Sequence, residues 1–350
     1  MFKESNSKIR CGIILAGGEG KRLHPLIHRL RGEIIPKQYV NFIGTRSMLE
    51  HTYHRVERLI APDRLFTVVS RDHLNITDVR RQISSRPKAT IIRQPENKET
   101  GPGLLLPLMH VYKNYPESIV AVFPSDHFIL EEDLFMGYVD LACRVVERDP
   151  SRMVLLGMEP DGPEPEYGYI LPGAEMDTKT FSTLLNILGF IEKPGLLAAQ
   201  EMVNKGGLWN TMVMAFQAKT LMDLVRKVLP MLYRPFQLIL DAIGTLSEMD
   251  VVKETYRWIK PINFSRGFLE ALALNYPLHL GVLPVRGVYW SDLGSEQRIV
   301  SVLRKTNCLS QLSSTAPAIY STSSQTDRIR RKRLLEKRND LQKLKPRASK

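Results

Sequence analysis

Cysteine is scarce in this sequence: three residues in 350 (Cys11, Cys143 and Cys308), widely spaced and odd in number. There is no C-x-x-C pair and no Cys/His spacing of a zinc site. A disulfide framework and a thiolate metal centre are therefore excluded, and a reducing compartment is expected. Long apolar runs are missing too. No segment approaches the ~18 consecutive apolar residues of a membrane span. The opening MFKESNSKIR has no apolar stretch of signal-peptide length. A cytoplasmic protein without a transmembrane segment is the expectation. What is present is ordinary globular material, 43% hydrophobic and 25% charged. That is enough for a real core, which rules out wholesale disorder and collagen-like or mucin-like chains.

The net charge of +12 is unevenly placed. Residues 327–350 carry eleven Lys and Arg against three Asp and Glu, which is most of the excess. The basic character belongs to a tail and says little about what the body binds. A solvated tail is the first reading, and such clustered cations would attract a polyanion weakly. Residues 306–326 are rich in Ser and Thr with little periodicity, which reads as a linker. The expected organisation is a body over 1–305, a linker over 306–326 and a basic tail, helical or disordered, over 327–350.

Within the body, short apolar and β-branched runs recur. They include Ile9–Ala16, Leu65–Ser70, Thr90–Arg93, Ile119–Phe123, Met153–Gly157, Leu188–Ile191, Met212–Phe216 and Leu278–Leu283. Segments with helical spacing lie between several of them, over Met48–Ile60, Leu104–Tyr112, Leu134–Val146 and Leu221–Val228, with a last helix near Ser295–Lys305. Strands apolar on both faces, alternating with helices, predict an α/β fold with a mainly parallel, Rossmann-like sheet flanked by helices. In such sheets ligands sit beyond the carboxyl ends of the strands.

The first strand runs into Ala16-Gly17-Gly18-Glu19-Gly20-Lys21-Arg22-Leu23-His24-Pro25. Three glycines in four positions allow a sharp turn whose backbone N–H groups cradle an anion. Arg22 adds a fork of donors suited to phosphate oxygens. The Rossmann G-x-G-x-x-G fails at Leu23, and the Walker pattern fails because Arg22 follows Gly20-Lys21. Farther on, Asp126 directly follows the apolar run Ile119–Phe123, and Asp292 sits in Trp290-Ser291-Asp292-Leu293-Gly294-Ser295 before a helix. Taken alone, they read as a turn residue and a helix cap. His51 and His54, spaced i, i+3 beside Glu50 and Glu57, read as a polar helix face rather than a metal site.

Gly-Gly-x-Gly-x-Arg-Leu-x-Pro after the first strand resembles the signature of sugar-phosphate nucleotidylyltransferases. Pro36-Lys37-Gln38 is similar to that family's Pro-Lys element, and Pro124-Ser125-Asp126-His127 resembles its mannose-1-phosphate guanylyltransferase branch in particular. Gln94-Pro95-Glu96-Asn97-Lys98-Glu99-Thr100-Gly101-Pro102-Gly103 looks like that branch's nucleobase segment, with Lys98 in place of an arginine and glycines in place of alanines. The resemblance implies a nucleotide-diphospho-sugar transferase fold, with GTP and mannose 1-phosphate as substrates and Mg2+ as cofactor. It implies metal ligation by Asp126 and Asp292 and phosphate contacts from Arg22, Lys37 and Lys193. Nucleotide contacts would come from Ala16, Gly17, Gly18, Gly20, Asn97, Thr100 and Pro102. On the sugar side it implies Gly168, Glu192, Lys193, Asn210 and Glu270, carried by Tyr167-Gly168-Tyr169-Ile170, Phe190-Ile191-Glu192-Lys193-Pro194 and Trp209-Asn210.

The sequence departs from the pattern at two points on that side. Met212 stands where the family has glycine, and Ser265 where it has aspartate. Another nucleotide–hexose pair, or a non-catalytic relative that binds a sugar nucleotide, remain the alternatives. Larger members of the family carry a C-terminal isomerase or left-handed β-helix domain, for which the chain after residue 303 is expected to be too short.

Overall fold

The structure, a computed structural model, describes residues 8–176 and 184–308. The expected basic tail, and the expected linker beyond Cys308, lie outside the described residues. The strands are β1 (Arg10–Ala16), β2 (Leu65–Ser70), β3 (Ile91–Gln94), β4 (Ile119–Pro124), β5 (Phe128–Ile129), β6 (Met153–Met158), β7 (Gly168–Glu175), β8 (Leu185–Glu192), β9 (Leu208–Gln217), β10 (Leu280–Val285) and β11 (Trp290–Ser291). The helices are α1 (His24–Arg31), α2 (Met48–Val56), α3 (Thr77–Ile83), α4 (Thr100–Asn114), α5 (Glu132–Arg148), α6 (Leu196–Asn204), α7 (Ala218–Val228), α8 (Pro230–Ala242), α9 (Glu248–Trp258), α10 (Glu270–Asn275) and α11 (Glu296–Lys305).

Nine strands form one sheet in the order β3-β2-β1-β4-β9-β6-β10-β8-β7. Its first half, β3-β2-β1-β4, is parallel throughout, as the alternation of apolar strands and helices predicts. The second half is mixed: β9 runs antiparallel to both β4 and β6, and β8 antiparallel to β10. A continuous parallel run is thus found only in the half that carries the glycine turn, while in the other half β6 and β10 make a parallel pair among antiparallel neighbours. Residues alternate across β1, so Ile14 and Ala16 join one core while Cys11 and Ile13 join the other. Helices α1, α2, α5 and α11 cover the first face, and α4, α7, α8, α9 and α10 the second. Helix α5 shows how: Phe135, Val139, Ala142, Cys143 and Val146 form one buried stripe. Cys11 and Cys143 are buried in different cores and unpaired.

The chain leaves β1 toward β2 on one side, while β4 lies on the other. The carboxyl ends of parallel strands meet at one rim, and this split opens a crevice there. The turn after β1, the segment after β3 and the loop after β4 all emerge at that rim. No described helix is long and apolar enough to cross a membrane.

Candidate active site

A cleft of about 350 Å³ occupies that crevice. Of the residues expected in a site, Gly17, Gly18, Arg22, Lys37, Asn97, Thr100, Asp126, Gly168, Glu192, Lys193, Asn210 and Asp292 line it. Four others stand behind the lining. Ala16 ends β1, and its carbonyl accepts a hydrogen bond from Gln38 Nε2 at 2.9 Å. Gly20 holds φ +62° and packs on Lys37. Pro102 is buried in α4, its carbonyl bonded to the Tyr256 hydroxyl. Glu270 accepts the Glu192 backbone N–H at 2.7 Å, so it supports the sugar-side loop from behind.

The two aspartates meet across Lys37. Its ammonium lies 3.0 Å from Asp126 Oδ2 and donates to the Asp292 backbone carbonyl at 2.7 Å. Lys37 is 9% exposed, so this contact is screened little. The position of Asp292 is fixed further. Its Oδ1 accepts from the Tyr167 hydroxyl, the Gly294 N–H and Arg298 Nη1, each at 2.9 Å. Burial alone would raise its pKa, but Lys37, Arg298 and the Tyr167 hydrogen bond hold it below the usual carboxylate range. Asp292 is therefore anionic at neutral pH.

Arg298 is a site residue that the motifs do not reveal. Besides Asp292 it pairs with Glu164 Oε2 at 2.7 Å and lies 4.5 Å over the Tyr167 ring. Its sequence signal is slight: it falls in the first turn of α11, where Ser295 caps the helix. His127 is buried, and burial pulls its pKa down to about 4. It is neutral, with Nδ1 facing the Trp290 indole N–H at 3.1 Å. Behind it, the Arg55 guanidinium, paired with Glu132, donates to the His127 carbonyl at 2.8 Å and pins the loop that carries Asp126. At the glycine turn, Gln38 Nε2 also reaches the Gly18 carbonyl at 2.8 Å.

On the opposite wall, a Cβ on Gly168 would stand 2.5 Å from Glu192 Oε2 and 3.3 Å from Asn210 Cβ. Only glycine lets that strand approach so closely. Burial raises the Glu192 pKa and the Glu270 carboxylate adds to it, against the opposing influence of Lys193 and Ser265. Non-glycine residues with left-handed backbone gather at this cleft. Glu99, Lys193 and Met212, with φ of +69°, +52° and +57°, line it, and Leu293 at +50° follows Asp292. Such strain persists where the surrounding fold over-determines it, and it clusters at working sites.

The sequence profile of the nucleotidyl transferase family matches residues 11–307.

The chain belongs to the nucleotidyl transferase family.

Among relatives of this nucleotidyl transferase, a mannose-1-phosphate guanylyltransferase of Salmonella montevideo is 29% identical, over 81% of the chain and 58% of the relative. The xanthan biosynthesis protein XanB of Xanthomonas campestris pv. campestris (strain B100) is 30% identical over 62% of the chain and 44% of the relative. The chain thus spans about half the length of the curated relatives it matches. A crystal structure from Thermus thermophilus, described as a mannose-1-phosphate geranyltransferase, superposes with a TM-score of 0.68 at 27% identity, covering 81% of this chain and 76% of that one. The resemblance read from the motifs, and the α/β fold expected from it, are borne out.

The donor set also suits the divalent cation that the family uses. Among the described residues no three His, Cys, Asp or Glu side chains stand together to cage a metal. Two carboxylates in a cleft fit an ion such as magnesium, which draws its remaining ligands from water and phosphate.

Proposed function

We propose that this nucleotidyl transferase joins GTP to mannose 1-phosphate, giving GDP-mannose and pyrophosphate. One observation supports the reading above others. Asp126 and Asp292, from distant parts of the chain, share one cleft with the glycine turn at one end and Glu192, Lys193 and Asn210 at the other. The names of the guanylyltransferase relatives support the choice of nucleotide and sugar.

In this reading the backbone of Gly17 and Gly18 and the side chain of Arg22 receive the triphosphate. A phosphate oxygen of the sugar phosphate forms the new bond to the α-phosphorus. The bond from that phosphorus to the bridging oxygen of the β-phosphate breaks, and pyrophosphate departs with the electron pair. The attacking oxygen is ionised near neutral pH, so no general base is needed. Arg22 and Lys37 offset the negative charge on the leaving group, and Lys193 holds the sugar phosphate as a point charge. Glu192 and Asn210 orient the sugar hydroxyls, and Gly168 gives the sugar room against the backbone. Mg2+, when bound, would be held by Asp126 and Asp292 and would supply neutralisation of the phosphate oxygens. Catalysis is positioning plus electrostatics.

The test is pyrophosphate release with Mg2+ across four nucleoside triphosphates and several hexose 1-phosphates. The highest kcat/KM is expected for GTP with mannose 1-phosphate. A different best pair would reassign the substrates. Nucleotide-sugar binding without turnover of any pair would leave only a binding protein.

A further inference from the structure

Two irregularities of the backbone meet on the sugar-side wall. The first lies in β9. Leu155 of β6 pairs with Met214 and Gly157 with Asn210, so Thr211, Met212 and Val213 oppose Leu156 alone. This is a β-bulge, and Thr211 closes it by donating from its hydroxyl to the Leu156 carbonyl at 2.8 Å. Met212 sits in the bulge with φ +57°, a region that side chains with a Cβ rarely adopt. The second is a π-helical turn over Ser265–Leu269 that leads into α10. Ser265 is buried, lines the same cleft, and lies 3.0 Å from Met212 Sδ. Its oxygen also accepts from Asn210 Nδ2 at 3.3 Å, and its proton points to that sulfur.

Resting on the reading of the cleft as a nucleotidyl transfer site, we propose that the Met212–Ser265 pair sets the sugar specificity, selecting a hexose 1-phosphate that turns an apolar edge, a C–H, a deoxy carbon or a methyl, and no hydroxyl, toward β9. A bulge beside a site re-aims a side chain, and here it presents a thioether to a wall on which Glu192, Lys193, Asn210 and Ser265 are polar. A thioether donates nothing and accepts weakly. The Ser265 hydroxyl beside it is already engaged with Asn210 and Met212. A sugar hydroxyl pressed against Met212 would leave water without a partner of equal strength. A C–H or methyl there loses nothing and gains contact with a polarisable sulfur.

The experiment measures kcat/KM with GTP and Mg2+ for mannose 1-phosphate and its 2-, 3-, 4- and 6-deoxy analogues, in the native chain, Met212→Gly and Met212→Leu. In the native chain one analogue is expected to approach the parent sugar in kcat/KM without exceeding it, well ahead of the others. In Met212→Gly its advantage should fall by about tenfold or more, the range a single apolar contact commands, while the other analogues keep their ratios. Met212→Leu, which keeps the apolar bulk, should retain the preference. Glycine relaxes the left-handed backbone, so Met212→Gly is expected to fold, and a thermal melt checks it. Ratios that do not move in Met212→Gly, or that move together for all analogues, overturn the inference. Absence of turnover with every sugar phosphate is a distinct failure: it removes the catalytic reading of the cleft, and the inference with it.

Discussion

Ser265 Oγ lies 3.0 Å from Met212 Sδ, and the two are the positions at which the sugar-side motifs depart from the family pattern. Fifty-three residues separate them in sequence, yet one side chain buttresses the other. The contact explains how a residue with a Cβ is held in the left-handed region, and the cost of that conformation leads to a measurement.

The left-handed backbone at Met212 costs about 1 kcal/mol for any residue with a Cβ and nothing for glycine. Alanine and glycine both remove the side chain, but alanine keeps the strain. Met212→Gly is therefore expected to be more stable than Met212→Ala by about 1 kcal/mol, the reverse of their usual order within a strand. Urea unfolding of the two variants measures the difference. An alanine variant as stable as the glycine variant would contradict the strain argument.

Asp126 is partly exposed, and its ion pair with Lys37 joins it to the phosphate side of the cleft. Asp126→Asn keeps the shape and removes the charge. Turnover is expected to fall by about 10³-fold or more, as for removal of a charge that neutralises phosphates, with little change in melting temperature. Isothermal titration with Mg2+ and nucleotide should show weakened metal-dependent binding. Near-native kcat with native metal dependence would exclude a role for Asp126 in holding the cation.

Arg298 acts through Asp292, which it holds at 2.9 Å while pairing with Glu164. It is a positioning residue. Arg298→Lys retains the charge but loses the planar fork that serves both carboxylates. A kcat lower by about tenfold to a hundredfold is expected, with KM for GTP changed less and a raised Mg2+ concentration for half-activity. A variant that melts earlier but keeps kcat and metal dependence would make Arg298 merely structural.

The buried His73 faces the Tyr39 hydroxyl at 3.2 Å, and burial lowers its pKa below the usual histidine value of about 6.5. The unfolded chain therefore binds a proton that the folded chain refuses. The stability it contributes is complete above pH ~6.5 and declines as pH falls from there toward the lowered value. His73→Asn should flatten the fall of melting temperature with acid in that window. An unaltered pH profile would show that other groups carry the acid sensitivity.

Much of the site was legible because its phosphate half is local. A strand of apolar residues running into Gly17, Gly18 and Gly20 with Arg22 is a continuous structure, and three glycines in four positions read as an anion cradle from the sequence alone. The same holds for Asp126, one loop beyond the apolar strand β4. Some elements escaped the sequence for equally local reasons. Strand β7 carries Gly168, Pro172 and Gly173, residues that weaken a strand signal, and β5 and β11 are two residues each. The helices α8 and α9 contain or follow prolines and short turns that break the periodicity on which helix recognition depends.

The sequence by itself determined the α/β class, the glycine turn and the residue types of the cleft, because each depends on neighbours along the chain. Tertiary structure decided the rest. The insertion of β9 antiparallel between β4 and β6, the Lys37 ammonium between Asp126 and Asp292, the clasp of Arg298 on Asp292 and the meeting of Met212 with Ser265 all join distant stretches. Such contacts follow from strand order and bulge register, which are set by the packing of the whole sheet against its helices and not by any local propensity.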